Sequence, residues 1–89
     1  MYIVVVYDVS VEKVNKIRTL LRQYLFWVQN SVFEGNITNS KYYELINLLK
    51  KEIDNERDSL IIYKIRSEKE VKRDVFGDVK GIFPEENIL

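Results

Sequence analysis

Hydrophobic and polar positions follow first a strand-like and then a helical pattern at the start of the chain. Tyr2 to Tyr7 is an unbroken run of β-branched and aromatic residues that ends at Asp8. Its length and composition predict a strand buried on both faces. Beyond Ser10, a candidate N-cap, apolar residues recur at helical spacing and predict an amphipathic helix. These residues are Val11, Val14, Ile17, Leu20, Leu21 and Tyr24.

The middle of the chain predicts one or two strands and a second helix. Residues 25–37 are strand-like, but the polar pair Gln29-Asn30 interrupts them. The pattern therefore fits either one bulged strand or a short hairpin. Thr38 is a candidate cap for the second helix. The apolar stripe of this helix consists of Tyr42, Leu45, Ile46, Leu49 and Ile53.

Another strand is predicted at residues 60–65, which gives the order β-α-β(β)-α-β. Two split β-α-β units form one antiparallel sheet with both helices, of about four turns each, on one face, the ferredoxin-like α+β plan. The second sheet face is then uncovered, and we expect another copy of this small chain to cover it. We expect a single domain at 1–89, with a core at 1–66 and a C-terminal extension at 67–89. In the extension, Glu70 to Phe76 is a candidate strand, and Gly77, Gly81 and Pro84 interrupt the residues after it.

Composition excludes several classes of function. The chain has no cysteine and no histidine, which excludes disulfides, thiolate or imidazole metal sites and a histidine base. Chemistry must come from carboxylates, hydroxyls, Lys, Arg or Tyr. Because 14 basic residues balance 14 acidic ones, any nucleic-acid contact must come from local clustering. No apolar run reaches the roughly 18 residues of a membrane span, so we expect a cytoplasmic protein without membrane contact.

Asp8 is the strongest candidate for chemistry. It is the first charge after the apolar strand, where a rigid backbone holds a carboxylate that can still reach water. On position alone, the plainer interpretation of a turn or capping residue is favoured. One carboxylate cannot hold Mg²⁺ without help, but a two-fold axis could bring two copies of Asp8 together. Two carboxylates and waters would form a Mg²⁺ or Mn²⁺ site for phosphodiester hydrolysis by an activated water.

The other polar side chains are weaker candidates. Arg18 and Arg22 are four residues apart on one side of the first helix and could contact phosphates, the alternative being a solvated polar face. Ser31, a hydroxyl within an apolar strand, could orient a water or a phosphate. Tyr7 and Phe33 are secondary candidates. The side chain of Tyr7 should point to the opposite face from the aspartate that follows it, and Phe33 is most simply a packing residue.

Three segments carry a resemblance to a known family. They are VVVYDV at 4–9, WVQNSVFEG at 27–35 and DSLIIY at 58–63, and the string QNSVFEG is the most specific. In order and spacing they resemble the CRISPR-associated "Cas two" (Cas2) family over most of residues 1–66. The chain departs from the family early in the first helix, where many members have consecutive basic residues and this chain has EKVNK at 12–16.

The resemblance implies a ferredoxin-like homodimer in which the tail packs on the partner subunit. It implies a Mg²⁺-dependent endonuclease that cleaves single-stranded RNA or duplex DNA, and a bridge between integrase dimers during spacer acquisition in antiviral defence. The family's metal-binding aspartate maps onto Asp8, its tyrosine onto Tyr7, and its strand serine and phenylalanine onto Ser31 and Phe33. Two alternatives stay open: a non-catalytic DNA-binding adaptor for the integrase, and a generic ferredoxin-like module that binds small regulators or toxin-type partners.

Overall fold

The chain folds in the order β-α-β-β-α-β, followed by a short tail. The structure, a computed structural model, describes residues 1–78 and 81, and the backbone alone of 87 and 88. Pro84 therefore lies outside the described residues. The main elements are β1 (Tyr2–Asp8), α1 (Val14–Arg22), β2 (Phe26–Gln29), β3 (Val32–Asn36), α2 (Asn39–Glu52) and β4 (Ser59–Ile65), with β5 (Asp74–Val75) and β6 (Asn87–Ile88) in the tail.

The first four strands form one antiparallel sheet in the order β2-β3-β1-β4. β1 is central, and its last residue, Asp8, pairs with Ser59, the first residue of β4. Alternate residues of a strand point to opposite faces, and Ile3, Val5 and Tyr7 are all buried on the same side. They share one core with residues of both helices, namely Ile17, Leu21, Tyr42, Leu45 and Leu49. Both helices therefore cover one face, which confirms the predicted ferredoxin-like α+β architecture.

The second face of the sheet is only partly covered within one chain. Tyr2, Val4 and Val6 point to it: Tyr2 is buried, but Val4 and Val6 are only half-buried. The expected burial of β1 on both faces is therefore complete only on the helix side. Directly opposite these two valines on β4, Tyr63 and Ile61 expose 55% and 51% of their surface. We call this surface, formed by Val4, Val6, Val32, Ile61 and Tyr63, the open face.

Residues 25–37 form a hairpin that also contains a bulge. Asn30 and Ser31 turn between β2 and β3, and Asn30 takes a φ of 43°, a left-handed conformation that asparagine tolerates. The indole N–H of Trp27 donates to the carbonyl of Asn30 at 3.1 Å and supports the turn. A register shift lies between Trp27 and Gln29. Ser31 is thus in the turn, not within a strand as predicted.

The first helix is shorter than predicted, because its opening turn, Val11–Lys13, is a 3₁₀ helix. The side chain of Ser10 makes no capping hydrogen bond there. Thr38 does cap α2 as predicted, since its hydroxyl oxygen accepts a hydrogen bond from the N–H of Lys41 at 3.2 Å. In the described part of the chain, no helix has the length and apolar character needed to cross a membrane.

The tail is tied to the sheet by a buried carboxylate. Glu34 is 6% exposed, accepts a hydrogen bond from the hydroxyl of Tyr2 at 2.6 Å and forms an ion pair with Arg73. Of the candidate strand Glu70–Phe76, only β5 is a strand, and it pairs with β6 in parallel instead of joining the main sheet. In this single chain the tail thus contacts its own sheet, and its packing on a partner subunit stays a prediction.

Candidate active site

Asp8 lies at one end of the sheet, at the rim of the open face. Its side chain points to the same side as those of Val4 and Val6, because these residues alternate along β1. Asp8 is exposed, and so is Ser59, its neighbour across the strand pair. The central strand therefore presents a carboxylate to solvent beside an apolar surface, at the position predicted from the sequence.

The backbone around Asp8 is held from both sides. On the β3 side, the N–H of Tyr7 donates to the carbonyl of Ser31 at 3.1 Å, which places the turn residue Ser31 at this end of the sheet. On the β4 side, the N–H of Ser10 donates to Oδ1 of Asp58 at 3.0 Å. The main chain on both sides of Asp8 is thus held in place, while its side chain faces solvent.

Asp58 is a buried carboxylate in the loop that adjoins Asp8. Its side chain is 0% exposed and accepts hydrogen bonds from Nζ of Lys13 at 2.6 Å and from the N–H groups of Ser10 at 3.0 Å and Asp54 at 2.9 Å. The hydrogen bond from Lys13, followed by the two backbone donors, lowers the pKa of Asp58 to about 2. The same hydrogen bond raises the pKa of Lys13. Asp58 was not predicted as a functional residue, although its place directly before a strand was a usable signal.

Acid is expected to destabilise the fold through Asp58. Its pKa is lowered from 3.8 to about 2, so its contribution is present above about pH 4 and is lost as the pH falls towards 2. Asp58→Asn should melt roughly 5 °C or more below the parent protein at neutral pH, and less far below it at about pH 2. Thermal unfolding followed by circular dichroism measures this difference. An equal difference in melting temperature between Asp58→Asn and the parent protein at both pH values would contradict the prediction. The control is Glu52→Gln, which removes an ion pair with Lys16 at the surface.

Tyr7 and Phe33 belong to the core. They are 3% and 0% exposed, and their rings stack with centroids 6.3 Å apart. As predicted, Tyr7 points away from the face that carries Asp8. Its buried hydroxyl has no hydrogen-bond partner among the residues that the structure describes. Both aromatic side chains thus support the strand from the helix side and do not reach the rim of the open face.

Arg18 and Arg22 are not brought to Asp8 within one chain. After α1, Tyr24 lines a cavity together with Asn36, which pairs with the first residue of β1. The helix therefore runs back along the sheet, away from Asp8. Arg22 is exposed near its far end, whereas Arg18 is half-buried and its Nε has no hydrogen-bond partner in the described part of the chain.

One chain offers a metal ion little more than the carboxylate of Asp8. Within the described ranges, no group of three or more acidic side chains is placed to hold a metal ion. The nearby carboxylate of Asp58 is buried and already accepts hydrogen bonds from Lys13 and two backbone N–H groups. Mg²⁺ is commonly bound by one or two carboxylates with several waters. A carboxylate is a ligand that suits Mg²⁺ or Mn²⁺, and the site would need further oxygen ligands from outside this chain to hold either ion.

Comparisons with known proteins agree with the fold and with the resemblance in the sequence. The family model described as CRISPR associated protein Cas2 matches residues 1–73. A protein from Thermococcus kodakarensis, named CRISPR-associated endoribonuclease Cas2, is 49% identical over 89 residues, which are 100% of both chains. A protein of the same name from Pyrococcus furiosus is 60% identical over 67 residues, 75% of this chain and 79% of the other. A solved structure described as a crystal structure of cas2 has a TM-score of 0.82 and 45% identity, and the match covers 90% of both chains. The chain therefore belongs to the CRISPR-associated Cas2 family.

Proposed function

We propose that this protein is a CRISPR-associated endoribonuclease whose site forms from two copies of Asp8 that share one Mg²⁺ or Mn²⁺ ion. The relatives described above are named endoribonucleases, which supports a nuclease role in CRISPR defence. One structural observation carries the site: an exposed carboxylate lies at the rim of a sheet face that the chain leaves partly uncovered. The cytoplasm is the proposed location.

The open face supports pairing of two chains. Ile61 and Tyr63 are about half exposed, and the half-buried Val4 and Val6 lie directly opposite them. A chain of this length buries only roughly 60–65% of its unfolded surface, so a second copy would add substantially to its core. In a two-fold interface, the same surface is used by both subunits. Pairing through the open face would therefore bring the two rims, each with its Asp8, to one interface.

Each residue at the rim has a defined role in the proposed reaction. Asp8 would supply a carboxylate oxygen to the ion, and the hydrogen bonds on either side of it hold the main chain from which its side chain extends. Ser59, exposed and paired with Asp8, can donate a hydrogen bond to a phosphate oxygen of the substrate. When bound, the metal ion polarises the phosphate and makes a water nucleophilic at neutral pH.

Nucleic-acid contacts by Arg18, Arg22 and Ser31 remain proposals. Arg22 is the most exposed of these and could bind a backbone phosphate away from the cleavage site. For single-stranded nucleic acid, the logarithm of the binding constant falls with the logarithm of the salt concentration, and each phosphate contact adds about 0.7 to the magnitude of this slope. Arg22→Gln should reduce the magnitude of that slope, whereas Lys50→Gln at the exposed end of α2 should leave it unchanged.

A second candidate function is a non-catalytic adaptor that binds duplex DNA and bridges two integrase dimers. The absence of an acidic cluster within the described part of one chain favours the adaptor role, because a single carboxylate provides few of the oxygen ligands that a catalytic metal ion needs. In this role the homodimer and its DNA contacts matter, and Asp8 is dispensable.

A cleavage assay with single-stranded RNA and with duplex DNA tests the proposed function. We expect RNA cleavage with Mg²⁺ or Mn²⁺, and a rate roughly 100-fold lower after chelation with EDTA, because the ion provides several kcal/mol of transition-state stabilisation. Cleavage that continues unchanged in EDTA would contradict a metal site. No cleavage of either substrate, together with tight binding of duplex DNA, would favour the adaptor.

A further inference from the structure

The connection between β1 and β4 continues past the ends of both strands. The last backbone pair joins Asp8 to Ser59. Beyond it, the carboxylate of Asp58 accepts a hydrogen bond from the N–H of Ser10 at 3.0 Å. The side chain of Asp58 thus binds the main chain beyond the last backbone pair, two residues after Asp8.

Asp58 is itself held firmly. Its N–H donates to the carbonyl of Asp54 at 2.8 Å, and its Oδ2 accepts the N–H of Asp54 at 2.9 Å, so the turn before β4 is closed in both directions. Nζ of Lys13 lies 2.6 Å from the same oxygen and ties the 3₁₀ turn to this loop. The carboxylate is 0% exposed, which removes the competition from water that weakens hydrogen bonds at a surface.

We propose that Asp58 is a positioning residue, which fixes the main chain from Asp8 to Ser10 and thereby orients the Asp8 carboxylate for the metal ion. The inference rests on the proposed function and adds to it a residue that touches neither the ion nor the substrate. Strand ends open more readily than strand centres, and Asp8 is at such an end. Residues behind a metal ligand set its orientation, and their loss typically costs about 10- to 100-fold in metal affinity or activity.

Two variants remove the bond to Ser10 from opposite sides. Asp58→Ala deletes the acceptor. Ser10→Pro deletes the N–H donor at a φ of −58°, which proline adopts. Its ring carbon Cδ takes the place of the hydrogen and displaces Oδ1 of Asp58, whereas the donors to Oδ2, Lys13 and Asp54, are unchanged. Lys13→Met is the matched control, because it breaks the ion pair but keeps the bond from Ser10 to Asp58. Glu52→Gln breaks a 2.9 Å ion pair with Lys16 elsewhere on the helices and is the second control.

The test measures Mn²⁺ affinity without substrate, by electron paramagnetic resonance, and the Mg²⁺ concentration that gives half-maximal cleavage. All variants are compared at a temperature where each is folded. We expect Asp58→Ala and Ser10→Pro to weaken both quantities about tenfold. Lys13→Met and Glu52→Gln should stay within about twofold of the parent protein, although Lys13→Met lowers thermal stability.

The outcomes separate positioning from stability. If Ser10→Pro leaves metal affinity unchanged, or if Lys13→Met weakens it as much as Asp58→Ala does, the positioning role of Asp58 is wrong. Should Asp58→Ala fail to fold, Ser10→Pro decides the question alone. Failure of the proposed function has a different signature, since Asp8→Asn would then bind Mn²⁺ and cleave RNA like the parent protein.

Discussion

Replacing Asp8 with asparagine is expected to lower Mg²⁺-dependent cleavage of RNA by roughly 100- to 1,000-fold while leaving the proposed dimer intact. The amide keeps the size of the side chain but removes the negative charge that the ion requires. Because Asp8 is exposed at the end of β1, the substitution disturbs no buried contact, and thermal stability should change little. Cleavage rates across a Mg²⁺ titration, with light scattering for the oligomeric state, measure both parts of the prediction.

Glu12→Gln is the matched control for Asp8→Asn. Glu12 is an exposed acidic residue in the 3₁₀ turn close after β1, so its replacement makes the same change in net charge near the same rim. We expect it to retain cleavage within about twofold, the range of an exposed charge that binds no ion. Equal rates for Asp8→Asn and Glu12→Gln would exclude Asp8 from the reaction.

Tyr63→Lys is expected to convert the dimer into monomers and to abolish cleavage together with it. Tyr63 is 55% exposed on the open face, so a single chain with lysine at this position should fold normally. Between two paired chains, however, the lysine would be buried without an oppositely charged partner. An unpaired buried charge costs several kcal/mol, and a two-fold interface contains the change twice. The dimer should weaken by roughly 1,000-fold or more. Light scattering across a concentration series checks this result.

Tyr43 provides the control for the open face. It is 66% exposed on α2, on the opposite side of the sheet. Tyr43→Lys makes the same chemical change and should leave both the dimer and cleavage intact. If it dissociates the dimer as well as Tyr63→Lys does, or if Tyr63→Lys leaves the dimer unchanged, the pairing surface lies elsewhere.

The parts of the fold that depend on local pattern could be predicted from the sequence. The apolar run before Asp8 gave the central strand, and helical spacing gave both helices. Thr38 was identified as a cap because its side-chain bond to Lys41 is made within one turn. The hairpin at residues 25–37 stayed undecided, since the left-handed backbone of Asn30 is not encoded in the alternation of apolar residues.

The contacts that hold the backbone beside Asp8 could not be predicted, because they join residues that are far apart in the sequence. Asp58 is 48 residues from Ser10 and 45 from Lys13 in the sequence, so no local pattern links them. For the same reason the pairing of Lys13 with Asp58 could not be predicted. The ion pair between Glu34 and Arg73 also joins distant segments, so the contact of the tail with its own sheet could not be predicted either.

The number of divalent ions bound per chain tests the shared site most directly. Titration calorimetry with Mn²⁺ should give one ion for every two chains, and dimers of Asp8→Asn should bind none at that site. Both results are expected if two Asp8 carboxylates complete one coordination shell. Binding of one ion by each chain, or full binding by the Asp8→Asn dimer, would contradict the account.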